Sequence, residues 1–221
     1  MVSGFSESEE NGLALISKDC KMVFSPGMST GGRAEIRMIL DNSERRIVAT
    51  TIDEKGLEEV KNQVKQLGLS KRIELRLEDV QEPLQYSDNS FDFIYARLIL
   101  HYLKKHSLDK TLKEFHRVLK PKSRLFIVVR SNKCPEASLE GASYDEESCL
   151  TSYPAYDDNG HLTGNVIKRY FHSIESITHH VENSGFKVIY AKEYEERLFK
   201  DFMRRVPSFY PNYIIELLAL K

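Results

Sequence analysis

A strand that runs into a glycine turn, followed about twenty residues later by an acid, could hold a nucleoside-bearing ligand. Lys21-Met22-Val23-Phe24-Ser25-Pro26 reads as the strand, Gly27-Met28-Ser29-Thr30-Gly31-Gly32 as the turn, and a helix starts at Arg33. This order brings backbone amides close to a ligand, because glycine has no side chain to hold it away. Asp53 ends the next apolar run. An acid at that place accepts hydrogen bonds from ribose hydroxyls, each charge-assisted bond contributing roughly 1.5 to 3 kcal/mol. Alternatives stay open: the turn could be a tight connection with no ligand, and Asp53 could cap a helix from Glu54.

The elements that would position these residues alternate between apolar runs and helical periodicity. Candidate strands are Met22 to Pro26, Ile47 to Ile52, Ile73 to Leu77, Phe91 to Ala96, Arg124 to Val129, Phe186 to Ala191 and Tyr213 to Leu220. Their nearly continuous Val, Ile and Leu content suits strands buried on both faces. Leu57, Val60, Val64 and Leu67 recur at helical spacing, as do Leu108, Leu112, Phe115 and Leu119, and Ile174, Ile177 and Val181. Ser107 and Ser173 stand at expected N-caps, and Gly68 and Gly185 at expected helix C-termini. The order predicts an α/β fold: a doubly wound, mostly parallel sheet with helices on both faces.

Composition fits one domain over residues 1–221: 41% of residues are hydrophobic and 29% charged, enough for a sizeable core. Thirty-two Lys and Arg against 33 Asp and Glu give a net charge of −1, and no segment forms a basic stripe, so nucleic acid is not an expected partner. Cys20, Cys134 and Cys149 form no CxxC pair, which suits a reducing, cytoplasmic location. The first twenty residues are polar and acidic, without an apolar run for a signal or membrane span, and read as a solvated lead-in. Residues 131–167 are longer than an ordinary connection and predict a lid, with Asn159-Gly160 as a hairpin turn.

Within Asp88 to Arg130, a loop reading SDNSFD enters FIYARLILHYL and then EFHRVLKPKSRLFIVV. This stretch resembles the centre of the class I S-adenosylmethionine-dependent methyltransferases, closest to the small-molecule type with SFD and LKP elements. The resemblance implies a seven-stranded sheet with an antiparallel last strand, S-adenosylmethionine as cofactor, and methyl transfer to oxygen, nitrogen or sulfur of a small-molecule acceptor. It places the cofactor on Ser25, Gly27, Ser29, Gly31, Asp53, Glu78, Asp79, Val80, Ala96 and Arg97, with Asp79 at the adenine amino group. It puts no metal in the site and indicates neither a membrane nor a protein partner.

The family's glycine motif begins with an acid where this chain has Ser25, and has a second glycine where it has Ser29, which bears on how the methionine amino group is anchored. Methyl transfer from a sulfonium needs alignment above all, and a base only when the acceptor must lose a proton. His101, Tyr170 and His172 supply titratable groups near the expected mouth; His101 could equally be a packed helix-face histidine. Acids of the lid, Glu136 to Asp158, could favour a neutral or cationic acceptor. An inactive, methyltransferase-like binding module is the alternative reading, and a nicotinamide-dependent oxidoreductase would lack the SFD and LKP elements.

Overall fold

A computed structural model describes residues 6–29, 31–157, 161–199 and 211–221. The elements run in the order α1 (Glu7–Ala14), β1 (Met22–Ser25), α2 (Arg33–Asp41), β2 (Arg46–Thr51), α3 (Glu54–Gln66), β3 (Ile73–Leu77) and β4 (Phe91–Arg97). They continue through a 3-10 turn at Leu100–Tyr102, α4 (Lys105–Val118), β5 (Leu119–Arg130), a second 3-10 turn at Pro135–Ser138, β6 (Ser143–Asp145), β7 (Leu150–Tyr156) and β8 (Leu162–Arg169). α5 (Ile174–Asn183), β9 (Lys187–Glu196) and β10 (Asn212–Leu220) complete the chain.

Seven strands form one sheet in the order β3-β2-β1-β4-β5-β10-β9. Pairings β1 with β2, β2 with β3, β1 with β4 and β4 with β5 are parallel, while β10 is antiparallel to both β5 and β9. Successive residues face opposite sides, so each strand feeds two cores. Phe24, Ile94 and Ile127 pack with Leu108, Leu112 and Phe115 of α4 and Ile177 of α5. Val23, Phe93 and Val128 pack with Ile39 of α2 and Val60 of α3. The strand reversal between β1 and β4 puts the C-terminal ends of β1, β2 and β4 around one crevice, the place where open α/β sheets bind ligands.

The SFD and LKP elements meet at the opposite end of the central strands, where β1, β4 and β5 begin. Asp92 Oδ2 accepts from the backbone amides of Lys21 and Met22 at 3.0 and 2.8 Å, and Asp92 Oδ1 accepts from Lys120 Nζ at 2.6 Å. One carboxylate thus fixes the starts of β1 and β4 and the approach to the sheet portion of β5. These signature residues build the sheet, away from the crevice.

Three expectations need correction. The N-terminal segment is helical from Glu7 and packed: Ser6, Ser8, Glu9 and Gly12 are buried. A Cβ on Gly12 would come within 2.5 Å of both Tyr95 and Phe126, so the helix lies directly on the sheet. Ser107 does not cap α4. The helix begins at Lys105, whose amide finds the Ser148 carbonyl at 2.9 Å, a tertiary partner invisible in the local sequence. β9 also runs to Glu196, beyond Ala191, because β10 supplies a partner along its full length. Ser173 caps α5 as expected, accepting from Ser176 N, and Gly68 and Gly185 take positive φ after α3 and α5.

Residues 131–167 include a three-stranded antiparallel sheet in the order β6-β7-β8. Its β7–β8 hairpin agrees with the expected one, while Asn159 and Gly160 lie outside the described residues. Cys20, Cys134 and Cys149 are free and buried. Among the described residues, no helix is long and apolar enough to cross a membrane.

Candidate functional site

The glycine turn opens onto a cavity of about 980 Å³ lined by Ser25, Gly27, Ser29 and Gly31 at one end and by Arg97, His101, Arg130 and Arg169 at the other. Gly27 turns the chain at φ +69°, and a Cβ there would meet Ile99 at 2.1 Å, so only glycine fits between β1 and the end of β4. The Met28 amide donates to the Thr50 carbonyl at 2.7 Å and ties the turn to β2. Ser29 is exposed and its carbonyl accepts from Gly32 N at 3.1 Å.

Sequence reasoning missed Glu35. It lies in the first turn of α2, is 3% exposed, lines the cavity and accepts from Ser25 Oγ at 2.6 Å. Burial pushes its carboxyl upward from the ordinary range, only partly opposed by the Ser25 hydroxyl. A first-turn acid ordinarily suits the positive helix end. Here the signal was its place on the apolar stripe, three and four residues before the buried Met38 and Ile39.

Arg97 closes the cavity against α1. Its Nε donates to Ser8 Oγ at 2.8 Å and Nη2 to Ser6 Oγ at 2.6 Å. Glu196 accepts from Ser6 Oγ at 2.9 Å, from Ser8 N at 2.7 Å and from Ser8 Oγ at 2.7 Å, and lies 3.4 Å from Arg97 Nη2. The N-terminal helix therefore forms part of the wall, through Ser6 and Glu9.

The expected acids of the nucleoside stand beside this cavity and do not line it. Asp53 is exposed and caps α3, accepting from Lys55 N at 3.1 Å. Asp79 Oδ1 accepts from Gln81 N at 3.0 Å. Glu78 holds the Tyr86 hydroxyl at 3.0 Å from both carboxyl oxygens, and burial raises its carboxyl. Val80 and Ala96 are buried, and the Val80 carbonyl accepts from Thr111 Oγ1 at 2.9 Å.

Of the three titratable candidates, His101 reaches the cavity. It is 2% exposed, stacks on Tyr102 with ring centres 4.4 Å apart, and its Nδ1 has no hydrogen-bond partner among the described residues. Burial, then the Arg169 and Arg130 charges, push its pKa well below that of ordinary histidine, so the ring is neutral. Tyr170 and His172 belong to a buried network instead. The Tyr170 hydroxyl meets His180 Nε2 at 3.1 Å, His180 Nδ1 meets Asp109 Oδ1 at 2.6 Å, and Tyr170 stacks on His172 at 3.9 Å. His172 is fully buried, and burial with the nearby His180 pushes it down to about 3. No cluster of metal-ligating side chains occurs among the described residues.

Whether a nucleoside sulfonium that carries a free amino acid fits is decided by the polar groups in the wall. Glu35 offers a buried carboxyl below the glycine turn, and the Tyr95 hydroxyl, buried in the same wall, has no protein partner among the described residues. Buried polar atoms are ordinarily satisfied, so orphaned ones along a cavity fit ligand contacts. The acid and the orphaned Tyr95 hydroxyl suit an amino acid moiety, and Asp53 follows β2 outside the cavity wall.

Residues 27–127 match the methyltransferase domain family. No curated protein matches the chain. Among solved structures, a methyltransferase dependent on S-adenosylmethionine from Methanosarcina mazei is 16% identical, with a TM-score of 0.70, 94% of this chain covered and 95% of that one. A second, from Mesorhizobium loti, is 15% identical with a TM-score of 0.63, over 97% of this chain and 98% of that one. The [4+2]-cyclase SpnF is 16% identical with a TM-score of 0.63, over 96% and 79%. At such identities the likeness establishes a shared fold, and folds of this kind host more than one reaction.

Proposed function

We propose that residues 27–127, which match the methyltransferase domain family, bind S-adenosylmethionine, and that the chain methylates oxygen, nitrogen or sulfur of a small-molecule acceptor. The observation that carries this reading is the buried Glu35 carboxyl beneath the glycine turn, 2.6 Å from the serine that occupies the acid's usual place. When bound, the cofactor supplies a methyl group on a positively charged sulfur, a leaving group that needs no further activation.

The chain's own residues do the rest. Glu35, with Ser25 holding one of its oxygens, releases its proton to solvent as the cofactor's ammonium group arrives and pairs with that group, and the Tyr95 hydroxyl serves as a second polar contact. Asp53 keeps its cap on α3 and accepts from the ribose; Asp79 faces the adenine end from the next strand. Arg97 anchors α1 over the site and excludes water, which strengthens each of these interactions. His101, held neutral beside two guanidinium groups, offers the acceptor a polar contact at its unpartnered Nδ1.

Calorimetric titration of S-adenosylhomocysteine into wild-type protein and Glu35→Gln tests this reading. Micromolar binding that weakens at least about tenfold in the variant, roughly 1.4 kcal/mol, supports it. Equal binding in the two proteins removes Glu35 from the site. A binding module without turnover is the second reading, favoured by Asp53 and Asp79 standing outside the cavity wall. It predicts cofactor binding with no S-adenosylhomocysteine formed across a panel of phenols, amines and thiols.

A further inference from the structure

At the end of the cavity nearest the 131–167 insertion, positive charge exceeds negative. Arg130, at the end of β5, and Arg169, the last residue of β8, share one carboxylate oxygen: Glu136 Oε1 accepts from Arg130 Nη2 at 2.6 Å and lies 4.0 Å from Arg169 Nη1. Their side chains are withdrawn from water, at 5% exposure for Arg130, 17% for Arg169 and 9% for Glu136. Arg33 and Arg37 face Glu9 and Glu10, and Arg97 faces Glu196.

Two guanidinium groups over a single carboxylate are unbalanced, and withdrawing an uncompensated charge from water is unfavourable. A second anion would complete the site. Arg169 is oriented for one: its Nη1 donates to Tyr153 Oη at 2.6 Å and its Nη2 to Tyr102 Oη at 3.4 Å, while its buried Nε has no partner among the described residues. The planar fork of arginine matches the two oxygens of a carboxylate or phosphate. His101, with its own unpartnered Nδ1, stacks on the same Tyr102 ring.

We propose that the acceptor carries an oxyanion, a carboxylate or phosphate, which seats against Arg169 and Arg130 and presents the atom to be methylated toward His101. This reverses the expectation drawn from the acidic insertion. Glu136 is turned inward as a counter-ion, while Glu140, Asp145, Glu146 and Glu147 are exposed and do not line the cavity.

The proposal rests on the methyl-transfer reading for the word acceptor, so its test reads binding and not turnover. Benzoate and inorganic phosphate are titrated into wild-type protein, Arg169→Gln and Arg169→Lys, each with and without S-adenosylhomocysteine. Saturable binding of at least one probe to wild type is expected, weakened at least tenfold in Arg169→Gln and several-fold in Arg169→Lys, with S-adenosylhomocysteine affinity equal in all three. Should Arg169→Gln fail to fold, the lysine variant, which keeps the charge and loses the fork, carries the comparison. No saturable binding of either probe to wild type, or equal affinity in the folded variants, overturns the proposal. Anion binding without S-adenosylhomocysteine binding would retain the oxyanion site and defeat the methyl-transfer reading alone.

Discussion

The Ser25 hydroxyl donates to Glu35 Oε1 across 2.6 Å, joining the end of β1 to the first turn of α2 in a buried pair beneath the glycine turn. A carboxyl in that position resists ionisation because burial raises its pKa. The folded chain then holds a proton that the unfolded chain releases at lower pH. Stability contributed by this group is full below the unfolded value and declines as pH rises through the folded one.

Glu35→Gln keeps the hydrogen bond to Ser25 and removes the ionisation. Its thermal midpoint should fall less than that of wild type as pH rises above the ordinary carboxyl value of 4.5, while its affinity for S-adenosylhomocysteine is lower. Parallel melting curves across pH check this, and identical pH dependence in the two proteins would show that Glu35 ionises freely.

Asp53 serves two masters in this account, and the substitutions separate them. Asp53→Ala loses the α3 cap, at a cost of about 0.5 to 2 kcal/mol. Asp53→Asn keeps a capping oxygen but loses the charge that a ribose hydroxyl would meet, so it should melt like wild type yet bind S-adenosylhomocysteine roughly tenfold more weakly, consistent with a charge-assisted bond of about 1.5 to 3 kcal/mol. Unchanged affinity in Asp53→Asn would leave the residue a cap and nothing more.

Glu196 holds α1 on the sheet through Ser6, Ser8 and Arg97. Glu196→Ala removes the buried carboxylate of this clamp and leaves the part-buried Arg97 without its counter-ion, which should cost about 3 to 5 kcal/mol, a fall in melting temperature on the order of 10 °C for a chain of this size. Limited proteolysis should then cut first within residues 6–14. A melting temperature within about a degree of wild type would contradict the clamp, since such a change corresponds to well under 1 kcal/mol.

His172 has no hydrogen-bond partner at either ring nitrogen among the described residues, and it is pushed down to about 3 from 6.5. The unfolded chain takes up a proton near 6.5 that the folded chain refuses until about 3, so this contribution is complete above 6.5 and is lost as pH falls. His172→Phe should be at least as stable as wild type at neutral pH, since an apolar ring replaces an unsatisfied polar one. Its unfolding free energy should also decline less steeply on acidification, by about 1.4 kcal/mol per pH unit below roughly pH 6. Denaturant titrations from pH 7 to pH 4 measure both.

The sheet was legible in the sequence because parallel strands buried on both faces leave nearly continuous apolar runs, and Met22 to Ile52 contains two of them, ended by glycine and by acid, while the edge strand β3 alternates as IELRL. SFD and LKP stand out in the sequence, and in the fold their Asp92 and Lys120 form a joint at the end of the strands away from the crevice. The site was less so. Glu35 resembles an ordinary helix-start acid until the fold places Ser25 beside it, and Arg130, Glu136 and Arg169 lie far apart along the chain before β5 and β8 bring them together. The N-terminal helix was obscured because its buried residues are Ser6, Ser8, Glu9 and Gly12, none apolar enough to mark an inward face. Partners that make such residues internal, Arg97 and Glu196, sit about 90 and 190 positions away and no local pattern of the kind that reveals amphipathic helices records them.

The most direct test of the central claim is calorimetric titration of S-adenosylmethionine into wild-type protein stripped of copurified ligand. The account predicts one site of micromolar affinity, competed by S-adenosylhomocysteine and weakened by Glu35→Gln. No detectable binding of either nucleoside at millimolar concentration would contradict it.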